Sequence, residues 1–238
     1  LTEPPSSAAH GLPAIHVAAA VLIDRRGRIL IAQRPAGKHL AGSWEFPGGK
    51  IEPGETRTAA LARELKEELG VTIERPRPLL RLRHVYPYGE VLLDVWVVRR
   101  YRGEPRGLDG QALQWCSRRE LPDVELLPAD QPIVDALRLP ERLRQATSPF
   151  YEILTCEDFC HPARGHPPRL LGFLCRQRND AERYAAAADF LVMREPLPHD
   201  ELRALCAGVD LPVYARGVAL ERAWALGATG VNLIAERV

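Results

Sequence analysis

The sequence predicts an α/β protein in two parts, and three observations carry that prediction. Residues 15–139 contain several strand-like apolar runs and one amphipathic helix unusually rich in carboxylates. Residues 140–168, PERLRQATSPFYEILTCEDFCHPARGHPP, lose periodicity and gain prolines and turn residues, which reads as a linker. Residues 169–238 return to short apolar runs alternating with helical stretches, the pattern of βαβ units and a parallel sheet. At 238 residues the chain is long enough for two domains, each with a core. The opening stretch 1–14, LTEPPSSAAHGLPA, is small, polar and Pro-rich. It lacks a basic segment followed by an apolar one and reads as a disordered tail rather than a signal peptide.

Each element follows in order. Residues 15–23, IHVAAAVLI, read as a buried strand, Asp24–Gly27 as its turn, and Ile29–Gln33 as its hairpin partner. Arg34, Lys38 and His39 follow in a loop, where they either meet phosphates or stay solvated. Ser43–Phe46 is a short strand ending at Pro47-Gly48-Gly49, and glycines let backbone approach a ligand closely. Pro53-Gly54 marks a turn, Thr56 caps the helix Ala59–Leu69, and Gly70 stops it. At about 100° per residue, Leu61, Leu65 and Leu69 form one apolar stripe, and Glu64, Glu67 and Glu68 share an adjoining arc. Such carboxylates repel one another unless they are a solvated face. As hard oxygen ligands they suit Mg²⁺ or Mn²⁺, which neutralises a pyrophosphate and activates water for in-line attack. Leu79–Tyr86 and Val91–Tyr101 form a hairpin around Pro87–Glu90, and a glycine-rich loop, 103–111, leads to a strand at Trp115. Leu127–Pro132 opens a helix over Ile133–Leu139, with Asp130 as a candidate N-cap.

Read at fixed spacing, GKIEPGETRTAALARELKEELGV from Gly49 to Val71 fills every fixed position of the Nudix box. The chain therefore resembles Nudix hydrolases, and AGSWEFPGGKIEPGE resembles their MutT-type branch, the 8-oxo-dGTP diphosphatases. The resemblance spans about residues 15–139 and implies an α/β/α sandwich around a mixed sheet. It implies a Mg²⁺-dependent (or Mn²⁺-dependent) nucleoside triphosphate pyrophosphohydrolase. Water attacks the β-phosphorus, and 8-oxo-dGTP becomes 8-oxo-dGMP and pyrophosphate, which cleans the nucleotide pool and avoids mutation during replication. By resemblance Glu64, Glu67, Glu68 and the Gly48 carbonyl hold metal. Asp109, one methylene shorter than the family's glutamate, is a further ligand or base, and an exposed loop aspartate is the alternative. Glu64 or Asp109 deprotonates water, Arg63 orients carboxylates and Glu55 supports the loop. Arg34, Phe46, Gly49 and Asp130 match substrate-binding positions, Phe46 reading equally well as core. The family has an asparagine where Asp130 stands. An amide both donates and accepts, whereas a carboxylate only accepts and repels O6 unless protonated. That departure leaves two rivals: another (d)NTP or a nucleotide sugar as substrate, or a non-catalytic nucleotide sensor.

The C-terminal traces AAAADFLVM, LPVYARG and ALGATGVNLI resemble the last half of the thiamine-phosphate synthase barrel. Only about four strands are legible where a barrel needs eight, giving a partial (βα) barrel-like domain. The segment expected to carry the pyrimidine diphosphate site is largely absent, and Arg216-Gly217 replaces a Gly-Gly phosphate loop. No synthase activity is expected. An open half-barrel leaves strand edges to cover, which predicts packing on the N-terminal domain or on another chain, a homo-oligomer included.

A net charge of +1 gives no field for a nucleic-acid polymer, and no apolar run approaches a membrane span. The expected partner is a small-molecule nucleotide. Five irregularly spaced cysteines, Cys116, Cys156, Cys160, Cys175 and Cys206, fit free thiols in a reducing cytoplasm. Cys156, Cys160, His161 and His166 form a candidate zinc cluster, but C-x3-C-H is not a usual zinc spacing.

Overall fold

Strand β1 (Ile15–Leu22) anchors the N-terminal half, because it has one polar residue in eight and its last five residues are buried. Such a run needs cover on both faces and partners on both edges. In the computed structural model, which describes residues 14–87, 89–148, 151–154, 170–184, 188–209 and 211–234, it has both. β4 (Gly48–Lys50) pairs with β1 antiparallel, and β7 (Gly89–Val98) pairs with it in parallel from Ile15↔Val91 to Leu22↔Val98. β6 (Arg77–Tyr86) completes the mixed sheet as the antiparallel partner of β7.

Helix α1 (Arg57–Leu69) is capped as its sequence requires. The Thr56 hydroxyl accepts from Ala59 N–H at 3.2 Å, and Gly70 ends the helix at φ 72°. Leu61, Leu65 and Leu69 are fully buried against Ala18, Ala20 and Leu22 on one face of the sheet. The other face packs Ala19, Val21, Leu93 and Val95 against Ile133 and Val134 of α2 (Gln131–Ala136). The mixed sheet thus lies between two helices.

The hairpin expected between β1 and β2 (Ile29–Gln33) does not form. Asp24 holds the turn, its carboxylate accepting from the N–H groups of Arg26 and Arg28 at 2.9 and 2.8 Å. Beyond one bridge, Ile23↔Ile29, β2 leaves for a second sheet with β3 (Trp44–Glu45) and β9 (Leu113–Cys116). The physical reason is that β4 and β7 already occupy both edges of β1. A two-stranded ribbon of β5 (Thr72–Glu74) and β8 (Arg100–Arg102) lies beside them.

The C-terminal half is a curled, six-stranded parallel sheet in the order β10, β15, β14, β13, β12, β11. Four strands are those the sequence predicts: β12 (Leu170–Cys175), β13 (Phe190–Met193), β14 (Val213–Ala215) and β15 (Gly230–Asn232). Two more, β10 (Arg142–Leu143) and β11 (Tyr151–Leu154), come from the stretch read as a linker. Among the described residues β10 and β11 are the outer strands, so a closed barrel is not formed. Helices α3 (Arg178–Tyr184), α4 (His199–Gly208) and α5 (Leu220–Ala225) alternate with the strands, and Leu202, Leu205 and Ala223 cover one face. The opposite face is filled by aromatic rings, Tyr151 and Tyr214 each meeting Phe190 edge-on at 5.8 and 5.9 Å. The segment with Cys156, Cys160, His161 and His166 lies outside the described residues, as does most of the N-terminal tail.

The two halves meet at β6. The Thr229 hydroxyl donates to the Leu79 carbonyl at 2.5 Å, and Arg81 donates to the Ala207 carbonyl at 2.6 Å. Arg77 lies over the Trp224 ring at 4.4 Å and pairs with Glu141 at 2.5 Å. The Arg77–Arg81 end of β6 is therefore covered within this chain. Among the described residues no helix is long and apolar enough to cross a membrane.

Candidate active site

Backbone geometry sets the floor of the site. β4 runs so close to β1 that a Cβ on Gly48 would lie 2.1 Å from the Ala18 carbonyl oxygen, and Gly48 has φ 151°. A Cβ on Gly49 would meet the Glu64 carboxylate at 2.3 Å. Both glycines are required by close approach, Gly49 by the side chain of α1 itself.

Arg63 locks the loop to α1. It donates to both oxygens of Glu55 at 3.1 and 3.0 Å and to the Lys50 carbonyl at 2.9 Å. It also reaches Glu64 at 2.9 Å and Glu67 at 3.1 Å. Its pKa is raised chiefly by the Glu55 and Glu64 hydrogen bonds, and the Glu55 carboxyl is correspondingly lowered. The three glutamates of the helix consequently differ. Glu64 and Glu68 line a cavity of about 560 Å³ with Gly48, Gly49 and Lys50. Glu67 does not line it; its side chain is 61% exposed and turned to Arg63.

Burial, then the charge of Glu64, pushes Glu68 up to about 7, with Lys38 pulling the other way. Two carboxylates facing one cavity, the pKa of Glu68 raised, are a donor set that a hard cation would relieve. Glu64, Glu68 and the Gly48 carbonyl fit that task. Among the described residues no three His, Cys, Asp or Glu side chains converge tightly enough to form a cage by themselves. The loop holding Asp109 folds onto the C-terminal end of α1, where Leu108 N–H and the Gln111 amide donate to the Glu68 carbonyl at 2.9 and 3.1 Å. Asp109 faces a smaller recess next door, which shares Glu68, Glu45 and Lys38 with the main cavity.

The opposite wall of the cavity is built by Phe46 and Asp130. The chain at 125–127 pairs with Trp44, Leu127 N–H reaching the Trp44 carbonyl at 2.9 Å, and the next turn carries Asp130 beneath Phe46. Asp130 is 4% exposed and accepts from Phe46 N–H at 3.1 Å. It does not cap α2 with its side chain, so the N-cap alternative fails. Burial, reinforced by the charge of Glu45 and opposed by the Phe46 N–H, pushes its pKa up to about 8. The raised pKa favours the uncharged acid, which donates as well as accepts. Phe46 belongs to the core and lines the cavity at once. Arg34 lines the same cavity but is held by an ion pair to Glu45 and by the His39 carbonyl at 2.8 Å.

Glu45 is the residue that sequence reasoning missed. It pairs with Arg34, lines both recesses, and raises Asp130. The available signal was a charged residue between Trp44 and Phe46 in an otherwise apolar strand.

The N-terminal half of the chain is similar to known proteins. The NUDIX domain family model matches residues 18–136. The 8-oxo-dGTP diphosphatase of Escherichia coli K12 is 36% identical over 124 residues, covering 52% of this chain and 96% of that protein. The CTP pyrophosphohydrolase of the same organism is 41% identical over 117 residues, covering 49% of this chain and 87% of its own. A solved MutT structure, from work on the Aliivibrio salmonicida and Vibrio cholerae proteins, is 31% identical. It covers 53% of this chain and all of its own, with a TM-score of 0.47.

Proposed function

Because the chain belongs to the NUDIX domain family and is a Nudix hydrolase, we propose that it hydrolyses 8-oxo-dGTP to 8-oxo-dGMP and pyrophosphate, removing an oxidised precursor from the nucleotide pool. The observation that carries this reading is the buried Asp130 on the wall of the cavity that Glu64 and Glu68 also line, where burial favours its protonated form. One of its oxygens already accepts from Phe46 N–H. The other, protonated, donates to O6 of the base, and a remaining lone pair accepts the N7–H that oxidation creates. Unoxidised guanine has a lone pair at N7, so acceptor would face acceptor. A buried unpaired group of this kind costs about 1–3 kcal/mol, or roughly 5- to 150-fold in discrimination.

Mg²⁺ is the proposed metal, Mn²⁺ serving in its place, with Glu64, Glu68 and the Gly48 carbonyl as its holders; Glu67 would join them by turning from Arg63, and Asp109 by reaching from the neighbouring recess. When bound, the cation supplies charge neutralisation for the diphosphate and Lewis acidity at the reacting phosphorus. The chain's own groups do the rest. Arg63 holds Glu64 in one orientation and ties it to the loop through Glu55 and Lys50. Lys38, near Glu68, and Arg34 supply positive charge for the phosphates. Water attacks the β-phosphorus, its proton passes to Glu64, and the bond from that phosphorus to the α–β bridging oxygen breaks. Glu64 is the preferred base over Asp109 because it lines the main cavity.

Turnover in heavy-oxygen water tests the route: label in the pyrophosphate is expected, and label in the monophosphate overturns it. The 41% identity to a CTP pyrophosphohydrolase supports a second reading, in which the base is cytosine. Ranking CTP against 8-oxo-dGTP separates the two. For the C-terminal sheet we propose a packing role, a synthase-like half-barrel retained for the face it presents to β6.

A further inference from the structure

Where the two halves meet, a second cavity of about 340 Å³ opens between β6 and β7 on one side and α4 and α5 on the other. It shares no lining residue with the cavity of Glu64 and Glu68. Its charged and aromatic walls are Arg57, Arg81, Asp94, Trp96, Arg203 and Trp224. Three guanidiniums face a single carboxylate. Asp94 is engaged by Arg57 at 3.2 Å and by Arg81 at 3.7 Å. Arg81 is further committed to the Ala207 carbonyl. Arg203 is exposed and, among the described residues, enters no ion pair. The Trp96 indole N–H is buried and meets no acceptor. A buried donor without a partner is costly and calls for an explanation. With three guanidiniums against one carboxylate, the wall carries a net of two positive charges. Leu80 and Leu226 line the rest of the cavity, and the Trp224 N–H is already spent on the Thr229 carbonyl at 3.1 Å.

We propose that this cavity is a second ligand site, for a small organic phosphomonoester with a flat apolar body. A phosphomonoester carries about two negative charges at neutral pH and three strong acceptor oxygens. These match the charge balance of the wall and the donors that Arg57 and Arg203 have to spare. The apolar body lies against Leu80, Leu226 and the indoles, where a bare phosphate would leave apolar wall in water. The cavity volume is at the small end of the range for ligand sites, about 300–1,000 Å³, so the ligand is small. Arg57 is the first residue of α1, the helix that carries Glu64 and Glu68. The proposal does not depend on which nucleotide the main cavity takes.

The test is titration of the full chain with phenyl phosphate and, separately, with inorganic phosphate, followed by tryptophan emission and calorimetry. Trp96 and Trp224 report from the cavity wall. Saturable binding of phenyl phosphate is expected, tighter than that of inorganic phosphate. Arg203→Ala, at an exposed position, should weaken it about 10-fold by loss of charge-assisted hydrogen bonds. Glu64→Gln, in the other cavity, should leave it unchanged. Absence of saturation, equal affinity for inorganic phosphate, or indifference to Arg203→Ala in a variant with wild-type melting would each overturn the proposal. So would a loss caused by Glu64→Gln.

Discussion

Replacing Asp130 with asparagine should flatten the pH dependence of stability. Asp130 has its folded pKa raised from 3.8 to about 8, chiefly by burial. An acid raised on folding keeps its proton in the native state while the unfolded chain ionises. Stability is therefore full below about pH 4, falls as pH rises from there, and stops falling above about pH 8. At about 1.4 kcal/mol per pH unit, that interval is on the order of 6 kcal/mol. Asparagine has nearly the same shape, never ionises, and still offers an oxygen to Phe46 N–H. Wild type and Asp130→Asn should be about equally stable at pH 4, and the variant should be several kcal/mol more stable at pH 9. Urea denaturation at a series of pH values measures this, and the difference between the two curves removes the contribution of Glu68. Parallel curves would refute the buried, neutral Asp130 and the base recognition argued from it. Turnover of 8-oxo-dGTP should fall in wild type above pH 8, relative to the variant, for the same reason.

Three further outcomes are expected. Glu68→Gln should lower pyrophosphate release by orders of magnitude while melting stays at or above wild type, since a partly buried charge is removed. Gly49→Ala puts a methyl group where the Glu64 carboxylate lies, so turnover should collapse with little change in melting temperature, and a normal rate would show that Glu64 is free to move. Thr229→Val removes the hydroxyl that accepts from Val213 N–H at 3.2 Å and donates to Leu79 across the halves. It should cost about 1–3 kcal/mol in urea unfolding, and no loss would mean that the β6 contact contributes nothing to stability.

The parts of the fold written into local pattern were legible. α1 is the best case, since Thr56, the Leu61–Leu65–Leu69 stripe and Gly70 each mark a feature decided within a few residues. Partner choice was not legible. The turn at Asp24 is local, but the strand that takes the edge of β1 is β7, far along the chain. β4 is two glycines and a lysine, with no apolar alternation to read. β10 and β11 are short, and only their neighbours in the parallel sheet make them strands. In the candidate site, helical arc alone grouped Glu64, Glu67 and Glu68, whereas Arg63 separates Glu67 from the others. The departure at Asp130 was visible as a residue type. Its burial depends on tertiary packing beneath Phe46, and that burial raises its pKa against the pull of the Phe46 N–H, which turns an apparent defect into a candidate donor.

The most direct measurement is the ratio of kcat/KM for 8-oxo-dGTP, dGTP and CTP by pyrophosphate release with Mg²⁺ near pH 7. The account predicts that 8-oxo-dGTP leads dGTP by about 10-fold or more, the worth of one buried hydrogen bond. It also predicts that CTP is slower still. Equal turnover of 8-oxo-dGTP and dGTP, or a preference for CTP, would contradict it.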